Sequence, residues 1–288
     1  MKLTLGGDLM CGRSFNSMLE KNPNWNVWGN TLQHIQNADI FGVNLETSIT
    51  YSLDAWPDKA FNYKLAPNLA NLVLYPVDYT SLANNHILDY GIKGARETEE
   101  TLDALRICYT GLKKSPPCII GDIGFISATD HPKEWKDHVN YLQKSILSQV
   151  KQLRKTVSTV VVSLHWGPNW EDYISTEKQR IAYDLLHNGV DIIHGHSAHH
   201  VQRAEEMNGG VVFYSFGDLL DDYAVDSHYR NDLGFLADLT LKNSKIVDVN
   251  IYPTKITHKT IDDTLMARVD FAKGKDAKWV RDKLQNYM

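Results

Sequence analysis

Five short apolar segments each run into residues able to hold a metal or move a proton. They end at Asp8, at Glu46, at Asn85-His86, at His165, and at His196 with His199. Imidazoles, carboxylates and an amide oxygen make a donor set suited to a borderline divalent cation such as zinc, manganese or iron. One or two such ions could activate water and polarise a phosphoryl or carbonyl oxygen. Each residue alone has a plainer reading. Asp8 follows Gly6-Gly7 and suits a turn or helix cap. Glu46 suits a solvated strand end, Asn85 the cap of a turn, and His86 a hydrogen-bonded structural histidine. His194, His196, His199 and His200 cannot all be ligands. His165 is the hardest to dismiss, because burying an imidazole behind so apolar a strand costs free energy unless it is partnered. The repetition of the pattern carries the inference.

The elements that must position these residues follow from hydrophobic rhythm and breakers. Strands are expected at Lys2–Leu5, Ala38–Glu46, Tyr79–Leu82, from Ile107, twice within 118–129, at Thr159–Leu164, Val190–Ile193 and Val211–Phe216. Thr159–Leu164 is an unbroken run rich in β-branched residues, as for a strand covered on both faces. Helices are expected weakly over Ser14–Asn37, and at Ala66–Tyr75, Lys93–Arg106, 134–156 and Lys178–Asn188, the last closed by Gly189. Leu233–Thr240 and Lys245–Tyr252 read as an antiparallel pair, and the tail from Thr260 as an amphipathic helix. Residues 50–63 read as an aromatic surface loop. Strand–helix alternation followed by adjacent strands predicts a mixed-sheet α/β fold. Residues 1–255 are expected as one domain, with 256–288 as a helical tail packed on it. In such sheets, ligands gather beyond the carboxyl ends of the strands, where positions far apart in sequence meet.

The 288 residues can bury a core unaided, and a net charge of -5 gives no drive toward nucleic acid or anionic membrane. Cys11, Cys108 and Cys118 are dispersed and odd in number, which fits a reducing compartment and no disulfide framework. No stretch reaches a membrane span, and the N-terminus makes a poor signal peptide. The expectation is a cytoplasmic protein.

The segments Gly7-Asp8-Leu9-Met10-Cys11-Gly12-Arg13, Asn44-Leu45-Glu46, Ala83-Asn84-Asn85-His86-Ile87-Leu88-Asp89, Ser163-Leu164-His165-Trp166-Gly167, Gly195-His196-Ser197-Ala198-His199-His200 and Tyr214-Ser215-Phe216-Gly217-Asp218 occur in that order. Together they resemble the motifs of the capsule-synthesis CapA family, also called the poly-γ-glutamate biosynthesis family, over roughly residues 1–240. That family is similar to the calcineurin-like metallophosphoesterases. The resemblance implies an α/β, metallophosphoesterase-like, four-layer α/β/β/α sandwich with two mixed sheets. It implies metal ligands at Asp8, Glu46, Asn85, His165, His196 and His199, with Asp8 and His199 in one half, Glu46 bridging, and Asn85 and His165 in the other. His86 takes the place of a proton-donating histidine oriented by Asp89, and Arg13 that of an anion-holding arginine; Asp8 and His199 are further acid–base candidates. The pattern departs from phosphoesterases at Met10, where they carry histidine, at Glu46, where they carry aspartate, and in the stretched His196–His199 segment. Asp218 stands where the capsule family usually has asparagine.

Three functions follow as expectations. The first is a metal-dependent hydrolase acting on a phosphoester or a γ-glutamyl peptide or amide bond, with a small anionic or peptide-like substrate. The second is a peptide epimerase using an Asp/His pair, as in some relatives of the family. The third is a non-catalytic accessory protein of poly-γ-glutamate or capsule biosynthesis. Trp25, Trp28, Trp56, Trp166 and Trp170 fall in or beside the expected loops, where they could line a groove or simply pack.

Overall fold

In the computed structural model, the β-branched run forms the strand Thr159–His165, buried along its whole length. The structure describes all residues except 58, 144, 244 and 285–288. Val161 points into one core while Val160 and Val162 point into another, the two-residue alternation of a strand sandwiched between layers. Its sheet has six strands in the order Ala204–Met207, Gly210–Phe213, Ile192–His196, Thr159–His165, Ile123–Thr129, Cys118–Ile120. The inner four are parallel and both edges antiparallel.

A second mixed sheet runs Thr264–Phe271, Lys245–Ile261, Leu233–Lys242, Lys2–Leu9, Ile40–Leu45, Tyr79–Ser81, Cys108–Thr110, with Asp218–Leu220 also pairing on Lys2–Leu9. Leu3, Leu5, Phe125, Phe213 and Phe235 fill the space between the sheets. Helices Ser14–Lys21 and Gly91–Leu105 cover the outer face of the second sheet over Phe15, Phe41, Val43 and Leu102. Ser145–Leu153 and Thr176–His187 cover the other sheet over Val150, Val160, Val162 and Leu185. The layers are therefore α/β/β/α, with two mixed sheets, as the resemblance implies.

Gly7 ties this fold to the site. A Cβ there would stand 1.9 Å from the Gly217 carbonyl oxygen. The bare backbone lets Asp8 N–H donate to that oxygen at 3.2 Å and brings Asp8 into register with Asp218.

Three expectations are corrected. Residues 134–156 are not one helix; a single 3-10 turn at Lys133–Trp135 precedes a helix limited to Ser145–Leu153. After that turn Val139 bridges to Leu112 and Tyr141 to Thr129, with Trp135 and Val139 drawn into the core. The tail from Thr260 is not helical at its start. Asp262 and Asp263 adopt φ of 46° and 57°, turning the chain into a hairpin whose second strand is Thr264–Phe271. The helix starts only at Gly274 and runs to Leu284; the end of the expected tail lies outside the described residues.

The third correction concerns the cysteines. Cys108 and Cys118 form a disulfide, with Cα atoms 5.7 Å apart, joining the edge strand of one sheet to the edge strand of the other. The topology brings them together, so no close Cys spacing announces the pair. The argument from cysteine usage for a reducing compartment is thereby removed. Closing a loop of ten residues is expected to stabilise the fold by about 2–3 kcal/mol. Urea denaturation with and without reductant measures this, and an unchanged midpoint would contradict it. Among the described residues, no helix is long and apolar enough to cross a membrane.

Candidate metal centre

Strand ends from both sheets deliver the donors to one place. The second sheet supplies Asp8 from the end of Lys2–Leu9, Glu46 just past Ile40–Leu45, and Asn85 and His86 after Tyr79–Ser81. The other sheet supplies His165 and His196 as the last residues of adjacent parallel strands, paired in register, and His199 from the following turn. Ser197 and His199 hold φ of 99° and 60°, uncommon for residues with a Cβ. That turn absorbs the stretched His196–His199 spacing and points His199 back to the centre.

Two groups of ligand atoms result. One atom each from Asp8, His165 and His196 lie within 4.8 Å of one another, and so do one each from Asp8, Glu46, His199 and Asp218. Asp8 thus belongs to both groups. Its Oδ1 accepts from Asn44 Nδ2 at 2.7 Å and its Oδ2 from Ser197 N–H at 3.2 Å. Glu46 Oε1 stands 3.9 Å from both His165 Nε2 and His86 Nε2. Asp8 is thus the carboxylate common to both groups, while Glu46, to which the resemblance assigns the bridging place, lies between His165 and His86. His165 Nδ1 and His196 Nδ1 are 3.0 Å apart. His199 Nδ1 is 2.9 Å from Asp218 Oδ1.

No metal is part of the structure, so the donors themselves supply the test of fit. Both oxygens of Glu46, Nε2 of His165 and of His196, Oδ2 of Asp218 and Oδ1 of Asn85 are buried without a hydrogen-bond partner. Buried polar atoms are nearly always paired, and orphans gathered at one point suit a cation. Burial, then the neighbouring Asp8, pushes the Glu46 carboxyl well above the usual range, and the same two causes raise Asp218. Burial raises Asp8 and holds His165 and His196 well below the usual imidazole range. The neutral imidazoles already have the ligating form. Met10 is not a ligand replacement of the usual kind: its Sδ accepts from Gly12 N–H at 3.3 Å.

His86 flanks the centre. Asp89 Oδ2 lies 2.7 Å from His86 Nδ1, leaving Nε2 toward Glu46. Burial lowers the His86 pKa to about 4. Lys59 donates to Asp89 Oδ1 and to the Asn85 carbonyl, and Tyr63 N–H donates to Asp89 Oδ2 at 2.6 Å. Arg13, at φ 51°, pairs with Asp222 at 3.4 Å and lies over the rings of Tyr63 and Tyr223. A cleft of about 390 Å³ opens over this floor, with Arg13, Asn85, His86 and His199 in its lining.

Other flagged residues fall elsewhere. His194 is turned to Ser163 Oγ and the Gly6 carbonyl, and His200 to the Val201 carbonyl. Trp28 and Trp166 are core, whereas Trp170 lines the cleft. Glu171 pairs with Lys178 and Asp172 with His228. Sequence reasoning missed Asp130-His131, though it repeats the strand-tip pattern after Ile123–Thr129. His131 Nδ1 is 2.5 Å from Asp130 Oδ1, and its ring is 5.1 Å from that of His165. It also missed Lys59, Tyr63 and Tyr223, which sit in loops with no periodic signal.

Comparisons with known proteins bear on the family and the fold. Residues 2–223 match the family model described as bacterial capsule synthesis protein PGA_cap. A probable polyglutamine synthesis accessory protein of Mycobacterium tuberculosis (strain H37Rv) is 26% identical, the match covering 90% of this chain and 75% of that one. The capsule biosynthesis protein CapA of Bacillus anthracis is 24% identical, over 77% of this chain and 60% of its own length. A crystal structure described as a novel phosphatase, from Mycoplasma pneumoniae, superposes with a TM-score of 0.54 at 12% identity, covering 88% of this chain and 92% of that one. That likeness is one of fold alone.

Proposed function

This chain belongs to the bacterial capsule synthesis family PGA_cap, and from that premise we propose that it is a metal-dependent hydrolase acting on a phosphoester or a γ-glutamyl amide bond. The observation that supports this most is the set of unpartnered, fully buried donors on Glu46, His165, His196 and Asp218. Left ionised and empty, such a cluster destabilises the fold. A bound divalent cation of the zinc, manganese or iron type would be held by Asp8, Glu46, Asn85, His165, His196 and His199, with Asp218 behind His199. When bound it supplies Lewis acidity and charge neutralisation for attack by water.

The chain's own residues do the rest. Asn44 and the Ser197 N–H hold Asp8 by its two oxygens. Asp89 fixes the His86 ring and its Nδ1 proton, so Nε2 is the atom that exchanges a proton with a reacting group. Arg13 stands at the cleft to hold an anion. The relatives' names, polyglutamine synthesis accessory protein and capsule biosynthesis protein, favour the γ-glutamyl bond; the fold shared with a phosphatase favours the phosphoester.

Elemental analysis of protein purified without added metal should find zinc, manganese or iron, and chelation should abolish hydrolysis of one member of a panel of phosphomonoester, phosphodiester and γ-glutamyl peptide. Metal-free protein with chelator-resistant activity would overturn the proposal and leave the epimerase reading, in which Asp8 and a histidine act without metal.

A further inference from the structure

The walls of the cleft hold more than an anion needs. Phe61, Tyr63 and His86 stack in series, with centroids 6.3 Å apart at 25° and 4.2 Å apart at 21°. Trp170 stands 5.3 Å from His199, and Tyr223 5.7 Å from the same ring. Phe61 is 62% exposed and Trp170 37% exposed, so neither is placed there by burial in a core. Trp170 also holds φ of 62°, and its N–H donates to the Ala198 carbonyl at 3.2 Å. A left-handed tryptophan kept half in solvent is a costly arrangement for packing alone. The charge complement is small. Lys59 is committed to Asp89 and the Asn85 carbonyl, and Arg13, whose Nε is 3.4 Å from Asp222, is the more exposed of these two lining cations, so it is the one that can meet an incoming anion.

Resting on the hydrolase reading above, we infer that the cleft takes an anion carried on a flat or apolar body, the anion at Arg13 and the metal floor, the body between Phe61 and Trp170. A segment charged at every unit would meet too few cations here. The volume, about 390 Å³, suits a ring-bearing small molecule or terminal group. Aromatic walls favour offset or edge contact with such a ring.

Calorimetric titration of the metal-loaded full chain with phenylphosphonate and with methylphosphonate tests this. Phenylphosphonate should bind about tenfold tighter, the gain expected from burying one ring against aromatic walls. Phe61→Ala and Trp170→Ala should each remove most of that advantage while leaving methylphosphonate within about twofold, and Trp170→Phe should restore it. Both positions are exposed enough that these changes leave folding intact, which the melting temperature verifies. Equal binding of the two probes, or a preference that survives both alanine changes, would overturn the inference while leaving the hydrolase reading standing. Binding of neither probe would overturn the anion site itself, and this inference with it.

Discussion

Asp8→Asn is expected to cut hydrolytic activity by more than about 100-fold and to lower bound metal in the same preparation. Removing a mere partner of a ligand typically costs 10–100-fold, so loss of a donor shared by both groups costs more. Asp8 is within ligating reach of His165 and His196 on one side and of Glu46, His199 and Asp218 on the other. Asparagine keeps the shape but not the charge. It also turns an N–H₂ or a lone neutral oxygen toward Asn44 Nδ2 and the Ser197 N–H, which both need acceptors. Asp218→Asn, which makes the residue usual in the capsule family, should be much milder. Metal content and activity that both survive Asp8→Asn would remove Asp8 from the centre.

Glu46→Gln is expected to separate function from stability. In chelated protein at pH 8 it should raise stability by about 2–4 kcal/mol, because a buried charge without partners is lost. That corresponds to roughly 3–7 °C in Tm for a chain of 288 residues. The pH dependence has a definite sign. The folded-state pKa of Glu46 is raised, by burial first and then by Asp8. Its contribution is therefore full below the ordinary carboxylate range, near pH 4, and is lost as pH rises through the raised value. The advantage of the glutamine variant should grow with pH across that interval. His165 and His196 act in the opposite sense, since their depressed values weaken the fold as pH falls below about 6.5. Comparison at pH 8 avoids them. Adding metal should reverse the order, stabilising the wild type more than the variant. Thermal melts with chelator and with metal measure both arms. A variant less stable than wild type in chelator would show that Glu46 is satisfied by some other partner.

The strand tips were legible because their chemistry violates the pattern around them. A histidine after Val160-Val161-Val162 or an aspartate after Gly6-Gly7 is conspicuous without any structure. The pairing of tips was not legible. Nothing in the sequence says that Asp8 is shared by two groups, since that depends on Gly7 admitting the Gly217 carbonyl and drawing in Asp218. Lys59 was invisible for a related reason: a lysine in an aromatic loop reads as solvated until Asp89 is seen beneath it. The tail failed for a different cause. Charges and apolar residues after Thr260 satisfy a helical rhythm locally, but the long partner Lys245–Ile261 offers an open sheet edge, and pairing overrides propensity. The cysteine pair shows the same limit, a contact made by two sheet edges and by no local spacing.

The donors of the centre come from two separate sheets, Asp8, Glu46 and Asn85 from one, His165 and His196 from the other. An ion gripping both acts as a rivet through two plates. Its affinity would then gauge how well the plates are seated, so a poorly packed side chain beside Phe125 or Phe235 would be felt at the centre as a weakened grip. In that sense the apolar filling between the sheets would be part of the coordination of a metal held there.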